Sequence, residues 1–299
     1  MFLRQKHKES INMQTRAKNI SFDFISLYYT YRAHNRQEIC ASLSIDIPCF
    51  VKYDFHMDTI LDVSNLVVHY GKGRDQKTAV DALNFSLKKG EIYGFLGSNG
   101  AGKTTTIKSL IGILTPSGGS ILFYGKPAST ISRKSLGFMP ETAAYYWYLT
   151  PKELLFFYGK LCGIDKRTLS DRTEKLLDLV KLSRYKNSYL KTFSKGMLQK
   201  VSFAQALIND PEILILDEPT TGLDPIARME MRDALLGFKD AGKTIFFSSH
   251  ELSEVEMISD RVSIIKNGKM LREAAPKELV NDKGEHMSLE KYFFDLVKE

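Results

Sequence analysis

With 299 residues, 43% hydrophobic and 26% charged, the chain has an ordinary globular composition and the length for one large domain or two modest ones. Its formal charge of +7 is dispersed: residues 1–56 carry 8 Lys+Arg against 5 Asp+Glu, residues 57–299 carry 34 against 30, and no basic block points to nucleic acid. Three scattered cysteines (Cys40, Cys49, Cys162) exclude a disulfide framework or a zinc site, no apolar stretch approaches the roughly 20 residues of a membrane span, and the basic start MFLRQKHKES lacks a signal peptide's apolar run.

Residues 1–56 contain no glycine and show little periodicity. They are expected to be a weakly ordered N-terminal extension outside the functional domain, with a docking or regulatory arm as the alternative. The domain is expected to span 57–299. Val63–Tyr70, Asn84–Leu87 and Glu91–Gly97 read as strands, and Lys103–Ile111 as a helix. Ser120–Tyr124 reads as a strand closed by Gly125. Thr150, Pro151 and Glu153 form a helix start with a capping box, opening a helix over 151–162, and a second follows over 167–182. A helix over 195–209 leads into the apolar strand Ile213–Asp217. Asp224 and Pro225 start a helix reaching about Lys239, strands follow at Thr244–Ser248 and Val262–Ile265, and a helix near 288–297 comes last. Strands alternating with helices predict an α/β fold with a mostly parallel sheet, and 141–195 reads as a helix-rich insert.

Gly97, Ser98, Asn99, Gly100, Ala101, Gly102, Lys103 and Thr104 match G-x-x-x-x-G-K-[ST] between an apolar strand and a helix, the context a phosphate loop requires. Glycines let backbone N–H groups converge on phosphate oxygens, and a helix N-terminus adds donors and partial positive charge. Lys103 supplies a charge for the β- and γ-phosphates, and the Thr104 hydroxyl suits Mg²⁺. In ILILDEPT (213–220) an apolar strand runs into two carboxylates. Asp217 is placed to hold Mg²⁺, and Glu218 is a candidate general base beside the γ-phosphate.

Together these motifs resemble the nucleotide-binding domain of ABC transporters over about residues 57–299. FSKGMLQK (193–200) resembles the family signature, with Lys195 for its first glycine and Met197 for its glutamine. TGLDP (221–225) resembles the D-loop, and SSHELSEVE (248–256) the switch-histidine region. The resemblance implies a P-loop NTPase fold with a mostly parallel core sheet, an antiparallel β subdomain and a helical subdomain at about 141–195. It implies ATP and Mg²⁺ as ligands, with Tyr70 stacking on adenine and Thr105 joining the phosphate loop. Ser194 and Gly196 would meet nucleotide held by a second copy, and His250 would orient water and Glu218. Glu141 stands where the family has a metal-contacting glutamine and keeps a carboxylate for Mg²⁺.

The same resemblance, closest to the ABC-2 type or drug-exporter subfamily, implies an ATP-hydrolysing subunit beneath a separate integral membrane permease, acting as a homodimer at the cytoplasmic face of the membrane. The aromatic run Tyr145, Tyr146, Trp147 and Tyr148 is a candidate surface for the permease. The alternative is a soluble ABC ATPase acting on nucleic acid or ribosomes. Only 91 residues separate Lys103 from Ser194, which leaves no room for the long coiled coil of the DNA-repair types.

Overall fold

The computed structural model describes residues 58–71, 75–280 and 284–298. The expected N-terminal extension lies outside them. The first strands, β1 (Thr59–Tyr70) and β2 (Lys77–Lys88), are antiparallel, and both are longer than the sequence patterning suggested. β3 (Ile92–Leu96) leads through a glycine-rich loop into α1 (Lys103–Leu110). β4 (Gly118–Phe123), β5 (Lys126–Pro127) and β6 (Leu136–Met139) follow, then α2 (Pro151–Leu161), α3 (Lys166–Leu179) and α4 (Lys195–Leu207). The remainder is β7 (Ile213–Asp217), α5 (Pro225–Asp240), β8 (Thr244–Ser249), α6 (Leu252–Ile258), β9 (Arg261–Lys266), β10 (Lys269–Ala274) and α7 (Leu289–Lys298).

Two sheets form. One is antiparallel, in the order β2-β1-β4-β5. The other runs β10-β9-β3-β8-β7-β6, parallel throughout except for β10. The central parallel strands β3, β7 and β8 are short and buried from end to end because both faces are covered. Their alternation divides the core in two. Tyr93, Phe95, Ile213, Ile215 and Phe246 face α1 and the antiparallel sheet, while Ile92, Leu96, Leu214, Leu216, Ile245 and Phe247 face the remaining helices. Phe85 of β2 joins the sheets, its ring centroid 5.6–5.8 Å from those of Phe95, Phe246 and Tyr93.

The helical insert opens as predicted. The Thr150 hydroxyl accepts from the Glu153 N–H at 3.2 Å, and the Glu153 carboxylate accepts from the Thr150 N–H at 2.9 Å, a capping box worth about 0.5–2 kcal/mol. β5, β6, α6 and β10 are not among the elements expected from the sequence. β6 and β10 are short edge strands of the parallel sheet, and α6 is a helix of seven residues.

Candidate active site

Close packing dictates the loop between β3 and α1. A Cβ on Gly97 would lie 2.7 Å from the Ile265 carbonyl oxygen, and one on Gly102, which has φ 108°, would lie 2.7 Å from that of Ala79. Only glycine fits at either place, and the loop is wedged between β2 and the end of β9. α1 then begins at Lys103 with its free N–H groups at the loop's mouth.

The Lys103 ammonium folds back into this loop, donating to the Gly97 carbonyl at 2.6 Å. It also pairs with Glu218 Oε1 at 3.1 Å, both side chains being about 5% exposed. Asp217 closes β7, where its register partner in β8 is Ser248. The Ser248 hydroxyl donates to Asp217 Oδ1 at 2.6 Å. Burial holds the Asp217 carboxyl above its ordinary pKa. The Ser248 and Thr104 hydroxyls oppose that shift, the Glu218 charge adds to it, and the Lys103 charge opposes it.

Consecutive strand residues point to opposite faces, so Asp217 and Glu218 could not share a site on a regular strand. The backbone resolves this by leaving the strand: Glu218 has φ 52°, in the left-handed region. Its N–H donates to the Ser248 hydroxyl at 3.0 Å, so one serine holds both acidic residues. The turned carboxylate also reaches His250 Nδ1 at 2.7 Å and the Thr221 hydroxyl at 3.2 Å. His250 lies just beyond β8, so Lys103, Asp217, Glu218 and His250 converge from three elements at one sheet edge.

A cavity of about 670 Å³ opens beside Lys103 and Glu218. Ser98, Asn99, Gly100, Gly102, Lys103, Thr104, Thr105, Glu141 and Glu218 line it, with Tyr70 at the rim. The Tyr70 hydroxyl sits 3.3 Å from that of Thr105. Gly97, Ala101, Asp217 and His250 do not line it: Gly97 lies under the loop, the Ala101 methyl is buried in the core, and Asp217 and His250 reach the site through Ser248 and Glu218. Sequence reasoning missed Lys77, Thr78 and Ala79 of β2 and Asn267 after β9, which complete the wall. It also gave Ser248 no role, although the serine stands inside a recognised motif.

The sequence profile described as ABC transporter matches residues 80–221. The chain is 43% identical over 229 residues to an ABC transporter ATP-binding protein of Synechocystis sp., covering 73% of this chain and 65% of that relative. It is 37% identical over 223 residues to the Nod factor export ATP-binding protein I of Burkholderia orbicola, covering 74% and 72%. The solved structure of an ATP-binding subunit of an ABC transporter superposes with a TM-score of 0.71 at 31% identity, covering 80% of this chain and all of that one. This chain is an ABC transporter ATP-binding subunit. It binds and hydrolyses ATP to power transport.

Two further expected site residues of this ABC ATPase lie at the start of α4. Ser194 caps α4, its hydroxyl accepting from the Met197 N–H at 3.2 Å, and Gly196 lies in the first turn. Neither lines the nucleotide cavity. The aromatic run splits. Tyr145 is packed against the core and donates to the Leu198 carbonyl at 2.8 Å, whereas Tyr146, Trp147 and Tyr148 are 46%, 51% and 68% exposed. Phe157 of α2 extends the exposed patch, its ring centroid 5.9 Å from that of Tyr146.

Proposed function

We propose that this ABC ATPase drives an exporter from beneath a separate integral membrane permease, as a homodimer closing on two ATP molecules. The observation that carries the reading is the Glu218 carboxylate held between Lys103 and His250 at the floor of the cavity. In this reading Gly97, Ser98, Asn99, Gly100, Ala101 and Gly102 present backbone groups to the phosphates, joined by Thr105, and Tyr70 stacks on adenine. Lys103 exchanges Glu218 for the β- and γ-phosphates. Glu218 then takes the proton of the attacking water, and His250 holds that carboxylate in place. Ser194 and Gly196 serve the nucleotide of the partner subunit, so their absence from the lining of the chain's own cavity fits a head-to-tail pair.

Thr104, Asp217 and Glu141 offer the oxygen donors that Mg²⁺ prefers. Among the described residues no group of three or more His, Cys, Asp or Glu is arranged to hold a metal ion. When bound, Mg²⁺ would neutralise charge on the β- and γ-phosphates. Export is favoured by similarity to a protein whose name records Nod factor export. No described helix is long and apolar enough to cross a membrane, so the transport path is assigned to the permease, met at the exposed Tyr146–Tyr148 patch on the cytoplasmic face.

The test is recovery of tagged Glu218→Gln full-length protein from detergent-solubilised membranes with ATP. A stoichiometric polytopic membrane protein is expected, together with turnover reduced about 10²–10⁴-fold for the lost base. Ribosomal or DNA-bound factors without a membrane protein would overturn the permease assignment.

A further inference from the structure

Gln199, in the second turn of α4, is a buried amide with no part in the site described so far. Its Nε2 lies 3.1 Å from the Glu218 carbonyl oxygen and 3.4 Å from that of Pro219. Both neighbours are acceptors, so the NH₂ end must face them.

Those contacts fall on the backbone that most needs support. Glu218 is a non-glycine residue at φ 52°, a conformation that persists only where the surroundings over-determine it. Its N–H is held by Ser248. Its carbonyl is held by the Thr221 N–H at 3.2 Å and by Gln199. Thr221 belongs to the same turn and moves with it, whereas Gln199 reaches in from a separate helix. α4 is also seated against this turn one position along. A Cβ on Gly222 would lie 2.8–3.3 Å from the Lys195 side-chain carbons, so the lysine stem lies across that glycine. Were the Glu218 carbonyl released, the residue could relax towards extended backbone. Its carboxylate would then swing away from Lys103 and His250.

We infer that Gln199 is a positioning residue for ATP hydrolysis, fixing the left-handed turn that aims Glu218 into the site. The inference rests on the catalytic role proposed for Glu218. In it, Gln199 touches neither nucleotide nor water and acts wholly through Glu218.

The test uses Gln199→Met, which keeps length and volume but removes both donors, and Gln199→Asn, whose amide is one methylene too short to reach. Each is made in the full chain, alone and combined with Glu218→Gln. Single-turnover phosphate release and binding of a fluorescent ATP analogue are measured. Each single variant should lose turnover about tenfold while ATP affinity stays within about twofold, the pattern of a lost interaction felt in the chemical step. Combined with Glu218→Gln, neither should slow the residual rate further, because a residue acting through Glu218 has nothing left to position. Unchanged turnover in both single variants overturns the inference, as does the same tenfold loss in the Glu218→Gln background, which would mark a general effect on the fold. Parent-like turnover in Glu218→Gln alone would instead remove the underlying role of Glu218, whatever Gln199 does.

Discussion

Ser248→Ala tests the acidic strand end most directly, because one fully buried hydroxyl holds both carboxylate-bearing residues there. The change removes 1 atom with two duties. The Glu218 N–H loses its acceptor at 3.0 Å, and a buried unsatisfied donor costs about 1–3 kcal/mol. Asp217 loses a charge-assisted donor at 2.6 Å, worth about 1.5–3 kcal/mol. The two losses overlap in one relaxed cavity, so a destabilisation of about 3–4 kcal/mol is expected, rather than the full sum. For a domain of this size that corresponds to a fall in melting temperature of roughly 6–15 °C. Ser249→Ala is the control. Ser249 is equally buried next door in β8, but its hydroxyl accepts only from the Glu251 N–H, at 2.9 Å, so about 1–2 kcal/mol is expected. Urea titration of both variants with a matched m-value gives the comparison. Equal losses in the two would refute the bridging argument and reduce Ser248 to one more buried hydroxyl.

Asp217→Asn should stabilise the protein at neutral pH while impairing hydrolysis. Burial raises the Asp217 carboxyl above its unfolded value, so the folded chain holds that proton more tightly than the unfolded one. The ionised group therefore disfavours folding above its folded pKa, and that penalty disappears as pH falls through the folded and then the unfolded value. A higher melting temperature at pH 7 is expected, the gain shrinking towards zero in acid, and a gain independent of pH would contradict it. Arg261→Met should cost about 3–5 kcal/mol, because it strands a buried carboxylate. Arg261 donates to both Glu91 oxygens at 2.7 and 3.0 Å, to Glu273 at 2.6 Å and to the Ser86 carbonyl at 2.7 Å. It pairs with Tyr93 near the start of β3, whereas the phosphate loop leaves the other end, so ATP affinity measured by equilibrium binding should not change.

Much of the site was legible because its chemistry is local. The loop 97–104 brings its glycines, lysine and hydroxyl together through consecutive residues, so spacing alone carries the geometry. The same holds for the capping box at Thr150 and for the apolar run before Asp217, whose total burial follows from a parallel strand covered on both faces. What sequence could not supply was every relation across strands and helices. Ser248 acquires its partners from the parallel register of β7 with β8, Gln199 from the seating of α4, Lys77 its place in the wall from the antiparallel sheet beside the loop, and Asn267 from the turn after β9. The turn at Glu218 belongs to this second class. Glutamate has no intrinsic preference for φ 52°, so only the tertiary contacts that hold its N–H, carbonyl and carboxylate make it face Lys103, and no single-residue propensity encodes contacts made between elements so far apart in the chain.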